Sequence, residues 1–133
     1  MLYNTRTIFS EDIPIVNNWL YEWGLNRLDE NMYPNDGLIM EDDNKNSIYA
    51  GFIWIPNSSN MAMIGFITRN PNYKKKLPKG LRTKFVSKLI ARCKELGKSI
   101  VITWTDNPFL VADFKEIGLI ETSNNCSELI AKI

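Results

Sequence analysis

The sequence predicts an α/β fold in which helices cover both faces of a mixed sheet, and three observations predict it. Apolar runs of strand length recur at GLIMED (37–42), SIYAGFIWI (47–55), MAMIGFITR (61–69) and KSIVITW (98–104). Residues 81–96 and 107–117 instead place their apolar side chains at helical spacing. SIYAGFIWI is apolar at nearly every position, as expected of a central strand covered on both sides. With the flanking segments the sheet comes to six to seven strands and the helices to three or four. The 133 residues contain no repeat, linker or low-complexity segment. They are expected to form one domain, 1–133, long enough to bury its own core.

Taken in order, YNTRTIF (3–9) reads as the first strand. Ser10 is the expected cap of a helix that carries Glu11 and Asp12 in its first turn, where the dipole favours anions. Ile13, Val16, Trp19, Leu20 and Trp23 form its apolar face, and Gly24 ends it. Residues 25–36 are irregular, a short helix and a loop. Three strands follow at 37–42, 47–55 and 61–69, joined by the polar turns DDNKN and PNSSN. The next helix presents Phe85, Val86, Leu89, Ile90, Cys93 and Leu96 inward and its lysines outward, with Gly97 as the stop. KSIVITW is read as a buried strand. Asn107 then caps a helix with Pro108 in its first turn and Leu110, Val111, Phe114 and Ile117 inward. LIETS and SELIAKI, about a turn at Asn124-Asn125, are expected to close the sheet, and the four tryptophans are expected in the core.

Composition narrows the function classes. Apolar content of 44% and charge of 23% fit a globular protein rather than a disordered one. No apolar run approaches the ~18 residues of a membrane span. The N-terminus lacks the features of a signal peptide, so a cytoplasmic protein is expected. Two cysteines make no disulfide framework. The absence of histidine removes histidine bases, histidine triads and His-metal sites, and no metal site is expected. Charge is segregated: residues 69–98 hold eleven Lys/Arg and one acid, a segment of +10, whereas the remainder holds five basic and fourteen acidic residues, or −9. One region therefore faces an anion. Nucleic acid is disfavoured as that anion, because the lysines line one helix face without interleaved exposed aromatics.

Several local patterns, in this order and spacing, resemble the GCN5-related N-acetyltransferase (GNAT) family, most closely its short, divergent phage and prophage members. After the fourth strand stands Asn70-Pro71-Asn72-Tyr73-Lys74, similar to the family's proline-x-tyrosine turn. The family's loop Gln/Arg-x-x-Gly-x-Gly/Ala corresponds to Leu77-Pro78-Lys79-Gly80-Leu81-Arg82, with Leu77 at the first position, one glycine kept and Arg82 at the second glycine position. Asn107 is followed seven residues later by Phe114, where the family has tyrosine, and the helix ends at Ile117-Gly118-Leu119.

The resemblance implies a mostly antiparallel GNAT-like sheet, acetyl-CoA as acyl donor, and direct transfer to a primary amine of a small molecule or protein. It implies that Lys79, Gly80, Leu81, Arg82 and Thr83 cradle the CoA phosphates with successive amides, Arg82 or Thr83 adding a side chain. Backbone groups of Phe66, Ile67 and Thr68 would bond the pantetheine and polarise the thioester carbonyl, and Asn107 would reach the cofactor arm. Each of these residues has a plain structural alternative: a solvated helix start, a central strand, a helix cap. Phe114 cannot donate a proton, and MAMIGFIT holds no carboxylate, so no catalytic residue is assigned. Glu22, Asp29, Glu30 and Tyr33 fall where the family forms its acceptor pocket. The alternative to an enzyme is a non-catalytic protein of this fold, a phage virion component or a host-takeover or anti-defence binding protein. A homodimer, or a phage or host protein partner, is compatible with both.

Overall fold

Strand β3 (Ser47–Trp54) occupies the centre of the sheet, as its uninterrupted apolar sequence requires: Ile48 to Ile53 are all buried. The computed structural model describes residues 2–133. Its five strands lie in chain order, β1 (Tyr3–Thr7), β2 (Asp36–Asp42), β3, β4 (Met61–Arg69) and β5 (Ile100–Thr103). The first four are antiparallel neighbours, and β5 runs parallel to β4. A parallel return needs a crossover, and helix α2 (Leu81–Glu95) supplies it.

Alternation along the strands sorts side chains onto two faces. On one face α1 (Asp12–Glu22) packs Val16, Trp19 and Leu20 against Ile39, Ala50 and Phe52, with Tyr33 from the irregular segment. On the other, α2 and α3 (Pro108–Glu116) pack Phe85, Val86, Leu89, Leu110 and Phe114 against Leu38, Met40, Tyr49, Ile53 and Ile64. Residues 25–36 contain one short 3₁₀ turn, Glu30–Met32.

Four expectations change. The sheet has five strands, not six to seven: LIETS and SELIAKI form none, and Ile120, Leu129 and Ile130 are exposed. SELIAKI sets Leu129 beside Ile130, so a strand covered on one face could bury only one of them. KSIVITW is an edge strand rather than a buried one. Val101 meets the α2/α3 core, while Ile100 and Ile102 stay exposed. Ser10 does not cap α1; the Asp12 carboxylate accepts the Phe9 amide instead, at 2.7 Å. Of the tryptophans only Trp19 is fully in the core. Trp54 is half-buried, and Trp23 and Trp104 are exposed with their indole N–H groups bonded to the Arg69 carbonyl and the Glu128 carboxylate.

Two buried carboxylates tie the elements together. Asp12 accepts from the two terminal guanidinium nitrogens of Arg6, at 2.8 and 2.9 Å, joining β1 to α1. Burial opposes its ionisation, but the Arg6 and Phe9 hydrogen bonds and the Arg6 charge outweigh it and hold the carboxyl below its ordinary range. Asp42 is likewise buried and likewise held down, by the Asn46 and Asn44 amides and the Tyr73 hydroxyl at 3.0 Å. Burial, and secondly that contact, push the Tyr73 phenol up to about 12.

A carboxyl whose folded pKa is depressed stabilises above its unfolded value, and the contribution is lost as pH falls through the folded value. Stability is therefore expected to drop as pH is lowered below about 5, through the unfolded carboxylate value and on through the lower folded one. Asp12→Asn should show a shallower drop when urea midpoints are compared across that range. A second prediction concerns Gly37. A Cβ there would collide with the Gly51 carbonyl of β3 and lie 2.8 Å from Ile8 Cδ1. Gly37→Ala should cost about 1–3 kcal/mol of unfolding free energy.

Candidate functional site

The site begins where β3 and β4 fall out of step. Ala50 pairs with Thr68 and Phe52 with Gly65. Between those pairs β3 has one residue, Gly51, and β4 has two, Phe66 and Ile67, which makes a β-bulge. Phe66 sits in the left-handed region at φ 51°, a conformation that costs a non-glycine residue about 1–3 kcal/mol. Packing holds it there: its ring lies 5.1 Å from Trp54 and 5.2 Å from Tyr33, and Trp54 reaches over Gly65, where a Cβ would be 2.9 Å from the indole.

Pairing between β4 and β5 stops just before the bulge, at Ile64 and Thr103, where the Thr103 hydroxyl caps the Ile64 carbonyl at 2.8 Å. Among the described residues, the side of β4 away from β3 has no strand partner from Gly65 to Arg69. Backbone groups of Phe66, Ile67 and Thr68 thus border an opening at which an extended ligand could continue the sheet.

The basic loop leads from the end of β4 to the start of α2. Gly80, the N-cap of α2, is left-handed at φ 84°, followed by right-handed helical residues. Such an alternation points successive amides into one concavity. Among the described residues the N–H groups of Lys79, Gly80, Arg82 and Thr83 have no acceptor, so the helix start can bind an anion. The amide of Leu81 differs: it donates to the Pro78 carbonyl at 3.3 Å.

The side chains of Arg82 and Thr83 are committed elsewhere. The Arg82 guanidinium pairs with the buried carboxylate of Asp113 on α3, and the Thr83 hydroxyl donates to the same carboxylate at 2.9 Å. Their positions contribute amides to the concavity, while Lys79 is an exposed cation beside it. Asn107 fills its capping role: its Oδ1 accepts the Phe109 and Leu110 amides at 2.9 and 3.4 Å.

The other candidates scatter. Tyr33 is buried against the bulge, and its hydroxyl donates to Asn17 Oδ1 at 2.9 Å. Burial and the charge of Glu30 push its phenol up to about 12. Glu22 accepts from Asn72, Asp29 caps the 3₁₀ turn, and Glu30 is exposed. Phe114 is buried in the core under α2. The first part of the basic stretch is spent on a separate hollow of about 510 Å³, where Asn70, Asn72, Lys74 and Lys75 face Ile15 and Trp19 of α1.

Sequence reasoning missed Asp113 and the bulge. Asp113 did carry a signal: a carboxylate spaced three residues after Leu110 and directly before Phe114 lies on the inward stripe of α3 and needs a buried partner. The bulge left none, since Phe66 continues an ordinary apolar run.

No protein-family model and no curated protein matches the chain. Solved structures do. N-acetylglutamate synthase from Neisseria gonorrhoeae, complexed with coenzyme A and N-acetyl-glutamate, is 20% identical at a TM-score of 0.66; the match covers 89% of this chain and 28% of that one. A GNAT superfamily phosphinothricin acetyltransferase from Sinorhizobium meliloti, in complex with acetyl-CoA, is 17% identical at a TM-score of 0.67, covering 89% and 75%. Glucosamine-6-phosphate N-acetyltransferase from Arabidopsis thaliana is 14% identical at 0.66, covering 98% and 100%. At these identities the likeness concerns the fold, and the chain has the GNAT fold.

Asp113 is expected to fasten α3 to the start of α2. Asp113→Ala should cost roughly 1–3 kcal/mol in urea unfolding, a range that allows for the partial exposure of Arg82. Thr83→Val, which removes one of the two contacts, should cost less.

Proposed function

We propose that the chain is a single acyltransferase domain, residues 1–133, which transfers an acetyl group from acetyl-CoA directly to a primary amine of a small molecule or protein. One observation carries this reading: the extra residue at Phe66, set where pairing with β5 ends, leaves β4 with an open edge, and the helix that follows β4 in the chain starts with unsatisfied amides. An elongated ligand with a polyanionic end and an amide-bearing arm matches both halves. Structures of the same fold in complex with acetyl-CoA or coenzyme A support that choice of ligand.

Bound acetyl-CoA would supply the activated acyl group. The amides of Lys79, Gly80, Arg82 and Thr83 would hold its phosphates, with Lys79 adding charge. Backbone groups of Phe66, Ile67 and Thr68 would align its arm and polarise the carbonyl. Attack forms the amide nitrogen–carbon bond and breaks the carbon–sulfur bond; the amine loses a proton and the sulfur gains one. Neither Phe114 nor Tyr33, whose hydroxyl is bonded to Asn17, suits that proton transfer, so water is assigned it.

A second reading has its own observation. Arg82 and Thr83 are locked onto Asp113, and the family's tyrosine position is a buried phenylalanine, as suits a non-catalytic protein that keeps the fold as a binding scaffold, whether a phage virion component or a host-directed protein. Calorimetric titration with acetyl-CoA separates the two. Binding at roughly micromolar to sub-millimolar concentration is expected. No binding at millimolar concentration would sink the enzyme reading. Lys79→Glu should weaken binding roughly 3- to 10-fold, with the loss shrinking as salt is raised. An affinity indifferent to that reversal removes the phosphate cradle. Lys79 is the cleaner probe, since Arg82→Glu would also break the pair with Asp113.

A further inference from the structure

Three tyrosines are buried: Tyr33, Tyr49 and Tyr73. A phenol hydroxyl taken out of water needs a partner. Tyr33 donates to Asn17 and Tyr73 to Asp42. Tyr49 is 6% exposed, and among the described residues its hydroxyl has no hydrogen-bond partner. Among the described residues no fully buried side-chain oxygen is left unsatisfied, so this hydroxyl is not sealed: part of the slight exposure of Tyr49 falls on the oxygen itself.

The position of Tyr49 fixes where that oxygen emerges. On β3 the residue pairs with Arg69, the last residue of β4, two residues beyond the bulge. Its ring stacks on Phe85 of α2 at 5.6 Å and 23°, so it lies beneath the first turns of that helix. The charged groups that act on the hydroxyl are Arg69 at the end of β4, Arg82 on α2 and Asp113 on α3. The side chain therefore runs from β3 towards the place where the unpaired end of β4, the start of α2 and α3 converge. Burial raises its pKa, so the group is a neutral donor at ordinary pH.

We infer that the Tyr49 hydroxyl is a ligand-binding group of the opening beside β4, which hydrogen-bonds an amide of the pantetheine arm of bound coenzyme A. This rests on the acetyl-CoA reading. The backbone partner of Tyr49, Arg69, lies, along the chain, between the bulge at Phe66 and the phosphate-binding turn at Gly80. Tyr49 thus meets the arm between the acyl and phosphate ends, and takes no part in proton transfer at the sulfur.

Tyr49→Phe keeps the stacked ring and removes only the oxygen. Calorimetry with coenzyme A should show affinity reduced roughly 3- to 10-fold, the worth of one hydrogen bond. Adenosine 3′,5′-bisphosphate carries phosphates without the arm, and titrated by itself it should bind both proteins with the same affinity. A loss smaller than that range overturns the inference, as does an equal loss for the bisphosphate. Failure of the wild-type protein to bind coenzyme A overturns the acetyl-CoA reading and this inference with it. Normal wild-type binding with an indifferent Tyr49→Phe overturns this inference alone.

Discussion

Between two adjacent backbone pairings, β4 carries one residue more than β3 can match. That surplus, at Phe66 and Ile67, places Phe66 in a left-handed conformation and re-aims the strand beyond it. Nearby features either hold the distortion or use it. Tyr33 and Trp54 clamp the Phe66 ring. Gly51 leaves room opposite the bulge, where a Cβ would meet Leu89 and Ile67. The strain is of the order of a single good hydrophobic contact, so a clamp of two aromatic rings suffices to hold it. Pairing with β5 ends one residue before Gly65, which leaves the end of β4 open.

The same end of the sheet carries the charge asymmetry, but charge alone does not define the site. Lysines on the outer face of α2 are solvated, those at 74 and 75 face a separate hollow, and Arg82 is neutralised by Asp113. What distinguishes the start of α2 is geometry: a left-handed Gly80 followed by helical residues leaves several amides converging without acceptors. Asp113 fixes this turn against α3, so the amides are held in place by a side-chain contact made more than one element away.

Much of the architecture was legible. The central place of β3 follows from its unbroken apolar run, α2 and α3 from their inward stripes, and the cap at Asn107 from the Asn-Pro start. The errors fell where local pattern and available partners disagree. SELIAKI has strand-forming residues but no neighbour that covers both Leu129 and Ile130. KSIVITW has the composition of a buried strand but lies at an edge, so Ile100 and Ile102 remain exposed. Trp23 follows the helical stripe of α1, yet its indole reaches across to the Arg69 carbonyl rather than into the core.

The sequence by itself determined the element order as far as α3, the glycine at the start of α2 and the absence of histidine chemistry, because these depend on residue identity and short-range spacing. Only the tertiary structure decided that Arg82 and Thr83 serve Asp113, that Phe66 carries a bulge and that the Tyr49 hydroxyl has no partner among the described residues. Each of these depends on which residues from distant parts of the chain meet across the sheet. A side chain's commitments are set by its neighbours in space, and spacing along the chain does not encode them.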